Sequence, residues 1–251
     1  MHRLLVDTAS LESEAPVLSS EAAAHLKVVR PKSGERVELF DGKGRTREYA
    51  VTASSRGFVL AAAAPVVEFQ RPPAMTLFAC VTKGSRWDWT IEKATELGVT
   101  RIVPVVSART IVRIADGERE SKRRRWERVA ADAARQSDAK WLPEVLAPTT
   151  FTESLALVRG TECFVGALVT PPPTPVAEAV RRRRSELEPA IYVGPEGDFS
   201  LEELQALLEI ATPVSFGSTI LRAETAAIYG ISALKAQLDL KQGVRFGADR
   251  R

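Results

Sequence analysis

The sequence contains only two cysteines and two histidines among its 251 residues. Cys80 and Cys163 each lie within an apolar run, so they can build neither a disulfide framework nor a cysteine-ligated zinc site, and we interpret both as buried thiols. His2 and His25 both precede residue 73, which leaves the rest of the chain without an imidazole for a serine-histidine triad or a metal site. We therefore expect no bound metal and no serine hydrolase chemistry.

Long apolar runs and the usual nucleotide-binding motifs are also missing. No uninterrupted apolar run approaches the roughly 18 residues of a membrane span, and the first residues lack the apolar centre of a secretory signal. The sequence has no GxxxxGK(S/T) motif and no G-x-G-x-x-G after a strand, which argues against P-loop nucleotide hydrolysis and ordinary Rossmann redox chemistry. We expect a cytoplasmic protein with no membrane partner.

Arginine is abundant although the formal net charge is only +3. The chain has 26 arginines against 9 lysines, and they cluster at Arg119–Arg128 and Arg181–Arg184. Planar guanidinium groups bind phosphates well, so a nucleic acid partner is plausible. The alternative is that both runs are solvated helix faces.

The first seventy residues differ in pattern from the rest. Short β-rich runs at 36–40, 47–53 and 57–63 are separated by turn signals, as in a small barrel, and residues 20–29 have a helical pattern. Consecutive prolines in Gln70–Ala74 stop either kind of element from continuing. We therefore predict one domain over residues 1–72 and a second over residues 73–251.

The second domain alternates between apolar runs and helical segments, which predicts an α/β fold around a mostly parallel sheet. Trp87, Ile91 and Ala94 follow helical spacing, so their helix should be half-buried. The predicted strands are MTLFACVT, RIVPVVS, ECFVGALV, AIYVG and PVSFG, and the predicted helices are 87–97, 121–136, 176–184, 201–210 and 225–240.

Three segments carry candidate chemistry. In IYVGPEGDFSLEEL a strand ends in a glycine-proline loop, and Ser200 with Glu203 predicts a capping box; loops beyond parallel strands are where open α/β sheets bind ligands. In SFGSTILRAETA, Arg222 is a candidate for binding an anion and could pair with Glu224 at the start of a helix. In KGSRWDWTIEKATELGV a basic loop precedes a helix and could hold phosphate. Read separately, each is also compatible with an ordinary turn, salt bridge or surface.

Taken together and in this order, these segments resemble the RsmE family of 16S ribosomal RNA uridine-N3 methyltransferases, within the SPOUT superfamily. The resemblance also covers HLKVVRPKSGERVELFDGKG, VPVVSART and RWERVAADAARQS with LPEV, so it spans nearly the whole chain. It implies a PUA-like N-terminal β-barrel for RNA contact and a C-terminal α/β domain with a deep trefoil knot. It also implies a homodimer in which the C-terminal helix packs against the partner.

The resemblance implies that S-adenosylmethionine is the methyl donor and that loop backbone holds it. The implied cofactor-binding residues are Leu168, Val169, Gly194, Pro195, Glu196, Gly197, Phe216, Gly217, Ile220 and Leu221. Uridine N3 reacts only after its proton leaves, so Glu196 or Glu224 is a candidate proton acceptor and Arg222 a candidate for stabilising the resulting charge. The candidate contacts with 16S rRNA in the small ribosomal subunit are Lys83, Arg86, Arg109, Arg123, Arg124 and Arg125.

Three positions depart from the family pattern: Asp198 replaces the last glycine of GPEGG, Thr219 replaces an arginine, and Ala139 replaces the arginine of QSGR. Two basic side chains are thereby lost, although Lys140 follows directly. Two alternative functions stay open from the sequence. The protein could be a methyltransferase with another RNA target, for example a ribose 2′-O or a tRNA, or it could be a non-catalytic RNA-binding factor of ribosome assembly.

Overall fold

The structure, a computed structural model, describes residues 1–55, 57–183 and 186–242. Its contacts divide the chain into two compact units. The first unit combines Met1–Pro72 with Ala131–Leu142, and the second combines Pro73–Ala130 with the chain from Pro143 onward. Arg184 of the second arginine run and residues 243–251 of the predicted second domain lie outside the described residues.

The first unit is built on a mixed sheet in the order β1-β2-β3-β4, with β5 paired to β3. β1 runs parallel to β2, and the other pairs are antiparallel. The helix predicted over 20–29 is confirmed, whereas β1, α1 and β5 were not predicted. The elements are β1 (His2–Leu5), α1 (Thr8–Glu12), α2 (Ser20–Val29), β2 (Arg36–Phe40), β3 (Arg45–Ser54), β4 (Gly57–Ala62) and β5 (Val67–Glu68).

The segment Ala131–Leu142 belongs to the first unit through specific contacts. The turn after β2 needs glycine, because Gly42 and Gly44 have φ of +67° and +89°. Trp141 packs directly on Gly44, where an added Cβ would overlap its ring, and its indole Nε1 donates to Gln70 O at 3.1 Å. From β1, Arg3 Nη1 donates to Ala134 O at 2.8 Å. These residues lie far apart in sequence, so composition alone could not show the arrangement.

The second unit contains a parallel sheet whose described strands follow the order β12-β10-β11-β6-β7-β8, with β9 on β7. The predicted α/β class is confirmed, and all five predicted strands and five predicted helices are present. The strands are β6 (Thr76–Cys80), β7 (Arg101–Val106), β8 (Glu144–Val145), β9 (Thr149–Thr150), β10 (Thr161–Gly166), β11 (Glu188–Val193) and β12 (Thr212–Val214). The helices are α3 (Ser85–Glu96), α4 (Arg119–Ser137), α5 (Phe151–Val158), α6 (Val176–Arg181), α7 (Leu201–Leu208) and α8 (Ala223–Gln242).

Helices cover both faces of this sheet, because successive side chains of a strand point to opposite sides. In β6, Leu77 and Ala79 pack in one apolar cluster with residues of α3, α6 and α8, and Phe78 and Cys80 pack in another with residues of α5 and α7. Trp87, Ile91 and Ala94 of α3 are buried as predicted. Among the described helices, none has the length and apolarity that crossing a membrane requires.

Candidate active site

Loops at the carboxyl ends of three neighbouring strands form a cavity of about 290 Å³ in the second unit. The strands are β12, β10 and β11, which run parallel and lie side by side. Their carboxyl ends therefore meet at one edge of the sheet, where α/β folds bind ligands. The cavity is lined by Gly166, Ala167, Leu168, Val193, Gly194, Pro195, Glu196, Asp198, Val214, Ser215, Phe216, Gly217, Thr219, Ile220, Leu221, Arg222, Ala223 and Ala226.

Most of the predicted donor-site residues meet in this cavity. Its lining includes eight of the ten predicted cofactor-binding residues, together with Arg222. Val169, Gly197 and the candidate proton acceptor Glu224 are not part of the lining. The eight are Leu168, Gly194, Pro195, Glu196, Phe216, Gly217, Ile220 and Leu221.

The residues that sequence reasoning missed lie mainly at strand ends and at the start of α8. Gly166, Val193 and Val214 end their strands directly beside the predicted loops. The end of each predicted apolar run could have indicated these residues. The last residue of a strand lies at the same edge of the sheet as the loop that follows it.

Phe216 forms part of the cavity wall, and its ring lies close to two glycines. An added Cβ at Gly166 would overlap the Phe216 ring, and one at Gly230 would lie 2.6 Å from Ile191 Cγ1 and 3.4 Å from Phe216 Cε1. The ring also meets Tyr229 edge to face, with centroids 6.0 Å apart. The missing side chain at Gly166 therefore leaves the space that Phe216 fills, and the one at Gly230 leaves space mainly for Ile191.

Loop 194–200, which follows β11, is held by contacts along its length. Asp198 N donates to Pro195 O at 3.0 Å, and Asp198 has a φ of +60°, a conformation that favours glycine. Its Oδ1 accepts from Phe199 N at 2.8 Å. The Phe199 ring is buried and lies 3.0 Å from where a Cβ at Gly194 would be. The predicted capping box of Ser200 and Glu203 is confirmed at the start of α7.

Charged groups surround the mouth of the cavity. Arg86 Nη1 lies 3.1 Å from Glu196 Oε1, and the Glu196 side chain is 28% exposed. Arg109 Nη1 donates to Gly197 O at 2.9 Å. Two of the predicted RNA-contacting arginines thus lie against the loop that lines the cavity.

The charge pair expected between Arg222 and Glu224 is not formed through Glu224 Oε2. That oxygen is buried and has no hydrogen-bond partner in the described parts of the chain. Arg222 is exposed at the cavity rim, directly before α8 begins at Ala223. The two residues therefore face different surroundings although one residue separates them in sequence.

The arginine run of α4 is engaged with acidic neighbours. Hydrogen bonds from Arg123 and Arg124 lower the pKa of Glu120 to about 2. Arg123 Nη1 also lies 2.7 Å from Glu127 Oε1, and Arg125 pairs with Asp88 of α3. Lys83 is exposed in the loop after β6. These arginines are on the surface, but a phosphate must compete with carboxylates to bind them.

No three His, Cys, Asp or Glu side chains cluster as metal ligands within the described ranges. Burial raises the pKa of the Cys80 thiol to about 12 and also raises that of Cys163. Both thiols are free and buried. The described lining of the cavity therefore consists of residues from loops, strand ends and the start of α8, with two carboxylates, Glu196 and Asp198, and the guanidinium of Arg222.

Two family models match the sequence. A model described as an RNA methyltransferase domain matches residues 70–235, and one described as an RNA methyltransferase PUA domain matches residues 18–62. The first of these models covers most of the chain and contains every residue that lines the cavity.

Curated relatives and solved structures agree with these matches. The ribosomal RNA small subunit methyltransferase E of Mycobacterium bovis is 32% identical over 243 residues, covering 91% of this chain and 89% of the relative. The enzyme of the same name from Synechocystis is 30% identical over 230 residues, covering 90% of this chain and 75% of the relative.

Two solved structures contain S-adenosylmethionine. The first is a ribosomal RNA small subunit methyltransferase E from Neisseria gonorrhoeae, with a TM-score of 0.81 and 27% identity over 94% of this chain and 97% of that one. The second is a putative methyltransferase from Legionella pneumophila, with a TM-score of 0.80 and 27% identity over 93% of this chain and 96% of that one.

Proposed function

The chain belongs to the ribosomal RNA small subunit methyltransferase E family, and from this membership we propose that it methylates N3 of a uridine in 16S rRNA, using S-adenosylmethionine. The observation that carries the proposal is the cavity at the carboxyl edge of the parallel sheet. Its walls come from the same loops that the family resemblance assigns to the methyl donor. Relatives of known structure bind S-adenosylmethionine.

The residues present fit this donor. Phe216, Ile220 and Leu221 supply apolar surface for an adenine ring, and the backbone of loops 194–197 and 216–221 supplies polar groups at the cavity. When bound, S-adenosylmethionine supplies an electrophilic methyl group carried on a sulfonium. Loop backbone depends little on side-chain identity, so Asp198 and Thr219 leave most of this surface unchanged.

Glu196 is our candidate for accepting the N3 proton. Uridine N3 is a poor nucleophile until its proton leaves, and a nearby carboxylate can take that proton. Glu196 lines the cavity, whereas Glu224 does not. The ion pair with Arg86 holds the Glu196 carboxylate at the cavity mouth. We therefore assign proton transfer to Glu196. Glu224, at the start of α8, is assigned a structural role.

Arg222 is our candidate for stabilising the uracil anion. Loss of the N3 proton spreads negative charge onto the two uracil oxygens, and a fixed guanidinium beside them lowers the energy of that state. Arg222 lies on the rim of the cavity and is exposed, so a substrate base can reach it. Because N3 is on the pairing edge, the base must be unpaired or flipped out to react.

RNA contact is assigned to two surfaces. Lys83, Arg86 and Arg109 lie in or beside the loops at the cavity edge. On α4, Arg124 and Arg125 are exposed and Arg123 is partly exposed. Guanidinium and ammonium groups of this kind bind backbone phosphates and position an RNA without reading its sequence. The first unit matches the PUA model over residues 18–62, and we assign it a further RNA contact.

Three finer features come from the family resemblance. We propose that the chain of the second unit forms a deep trefoil knot and that the first unit's sheet acts as a PUA-like barrel. The protein would work as a homodimer in the cytoplasm, where ribosomal subunits assemble. In α8, Tyr229 and Leu240 leave apolar surface exposed for a partner subunit, 46% and 77% respectively. Light scattering of the purified protein tests the dimer.

Methyl transfer from labelled S-adenosylmethionine to small subunits that lack the modification tests the function. The products are digested and compared with methyluridine standards by mass spectrometry. We expect N3-methyluridine, and Glu196→Gln and Arg222→Ala should each reduce its formation. A 2′-O-methylated nucleoside would contradict the assigned atom. Donor binding without transfer to any ribosomal substrate would contradict catalysis and favour an assembly factor.

A further inference from the structure

Glu203 is a buried carboxylate that none of the roles above explains fully. It lies in the first turn of α7 and is 9% exposed. Its Oε2 accepts from Ser200 N at 3.0 Å, which is the ordinary capping-box contact. Its Oε1 accepts from Ala108 N at 2.8 Å, in a different loop. A helix cap needs only the first of these contacts.

Ala108 belongs to loop 107–110, which follows β7. Thr110 N donates to Ser107 O at 3.1 Å, and Ser107 N donates to Thr110 Oγ1 at 2.9 Å, so the loop is a compact turn. The same turn carries Arg109, whose Nη1 donates to Gly197 O at 2.9 Å. Loop 107–110 is thus joined to the region of loop 194–200 twice, once through Glu203 and once through Arg109.

The two hydrogen bonds run in opposite directions. In one, the backbone of loop 107–110 donates to a side chain of α7, and in the other, a side chain of loop 107–110 donates to the backbone of loop 194–200. The strands that lead into these loops are not neighbours, because β6 lies between β7 and β11. The paired contacts therefore bridge the carboxyl ends of three strands, directly beside Glu196.

We propose that Glu203 is a positioning residue, which fixes loop 107–110 against loop 194–200 so that Arg109 stays on Gly197 O and Glu196 faces the cavity in one arrangement. This inference rests on the proposed function, because it concerns the loop assigned to the methyl donor. A carboxylate suits the role since its two oxygens accept from two backbone donors at once. Glutamine has only one acceptor oxygen and turns an N–H₂ group towards the other donor.

The test compares Glu203→Gln with Ser200→Ala. Ser200→Ala removes half of the capping box. Glu203→Gln keeps one acceptor oxygen but turns an N–H₂ group towards either Ala108 N or Ser200 N, so one of these two backbone donors loses its acceptor. We expect the Kd for S-adenosylmethionine, measured by calorimetry, to rise about tenfold in Glu203→Gln, the size expected for loss of a hydrogen bond to a charged group. Ser200→Ala should bind the donor like the wild type. Equal effects in the two variants would overturn the proposal in favour of plain capping.

A double-mutant cycle with Arg109→Ala distinguishes positioning from general loss of stability. If Glu203 and Arg109 hold the same pair of loops, the double variant should lose less affinity than the product of the two single losses. If the loss of affinity in the double variant equalled the product of the two single losses, Glu203 would act independently of Arg109, and the proposal would be overturned. Glu203→Asp, which keeps the charge but has shorter reach, should show the same coupling and replaces Glu203→Gln if that variant fails to fold.

Amide hydrogen exchange supplies a measurement that does not depend on the methyl donor. The amides of residues 107–110 should exchange faster in Glu203→Gln than in Ser200→Ala, while amides of the β7 strand stay equally protected in both. Equal exchange in loop 107–110 would overturn the proposal. If the two variants showed this difference in exchange but the wild type bound no S-adenosylmethionine, the proposed function would fail and the positioning contact would stand.

Discussion

Loop 194–200 and loop 215–222 line the same cavity but are held differently. The first has an internal turn at Asp198, a buried anchor in Phe199 and the capping box at its end. The second is held at Ser215, whose N donates to Thr174 O at 3.0 Å, and by the ring of Phe216. Beyond that point its residues are largely exposed, and Ile220 is 83% exposed.

The difference indicates that the two loops have different roles in binding and catalysis. A loop with many internal contacts is already in its binding arrangement, so it loses little conformational entropy when a ligand binds. An exposed loop can adjust to a large substrate, and here it carries Arg222. We expect changes at the cavity-lining residues of loop 194–200 to act on donor binding, and a change at Arg222 of loop 215–222 to act on turnover.

The largest effect is expected from Arg222→Ala in the exposed loop. Removing one group that stabilises developing negative charge typically lowers kcat about 100-fold or more. Donor Kd should stay unchanged, because the charge arises only during reaction. Steady-state kinetics and calorimetry measure the two quantities. Arg182→Ala, which removes an exposed arginine of a surface ion pair, is the control and should keep full activity.

Gly166→Ala should give the next largest effect, because it displaces Phe216, whose ring lines the cavity. The added methyl overlaps the ring, and overpacking of this kind costs about 1–3 kcal/mol of unfolding free energy. If half of that cost falls on the cavity, donor Kd should rise about two- to tenfold. Gly117→Ala, where no atom lies within 4 Å of the new Cβ, is the matched control in urea unfolding. Equal stability of the two variants would contradict the packing role of Gly166.

Asp198→Gly, in loop 194–200, should raise the free energy of unfolding of the protein. Asp198 has a φ of +60°, a left-handed conformation that costs a non-glycine residue about 1 kcal/mol. Loss of its side-chain bond to Phe199 N offsets part of the gain, so we expect about 0.5 kcal/mol of added stability. Asp138→Gly is the comparison, since Asp138 has a φ of +62° but also pairs with Lys140. A loss of stability in Asp198→Gly would show that the side-chain bond outweighs the strain.

The smallest effect concerns the Cys80 thiol beside Ser107 and Thr110. Burial raises its pKa from an ordinary 9.0 to about 12, so the folded protein keeps it protonated and iodoacetamide should react very slowly at pH 8. Since the unfolded thiol ionises first, stability should fall as pH rises from 9 towards 12. Alkylation should accelerate in Glu203→Gln if loop 107–110 loosens. Cys163, buried in β10, is the control thiol and should stay unreactive in both proteins.

Local patterns predicted the regular elements well because they depend on neighbours in sequence. The strand at 36–40 and the helix at 20–29 have the predicted bounds, and the capping box of Ser200 and Glu203 formed as expected. Short strands such as β1 and β9 were missed since a few residues give no clear period. Helix α5 carries a capping box of Thr150 and Glu153, a signal present in the sequence but not used.

Long-range contacts account for what the sequence could not show. Nothing near Glu203 in sequence reveals that Ala108 donates to it, and nothing near Glu196 reveals Arg86. Eight of the ten residues that the resemblance assigns to the donor line the cavity, because they lie in loops at one edge of the sheet. The ion pairs of Arg123 and Arg125 depend on which helix faces meet.

The contacts that join Ala131–Leu142 to the first unit also set an order of events during synthesis. Residues 1–72 leave the ribosome first, but the residues that cover the turn at Gly44 and accept from Arg3 emerge only near residue 142. At a synthesis rate of about 5–20 residues per second, residues 131–142 are made several seconds after residue 72. A nascent chain stopped at residue 72 would therefore expose the glycine turn that Trp141 later covers.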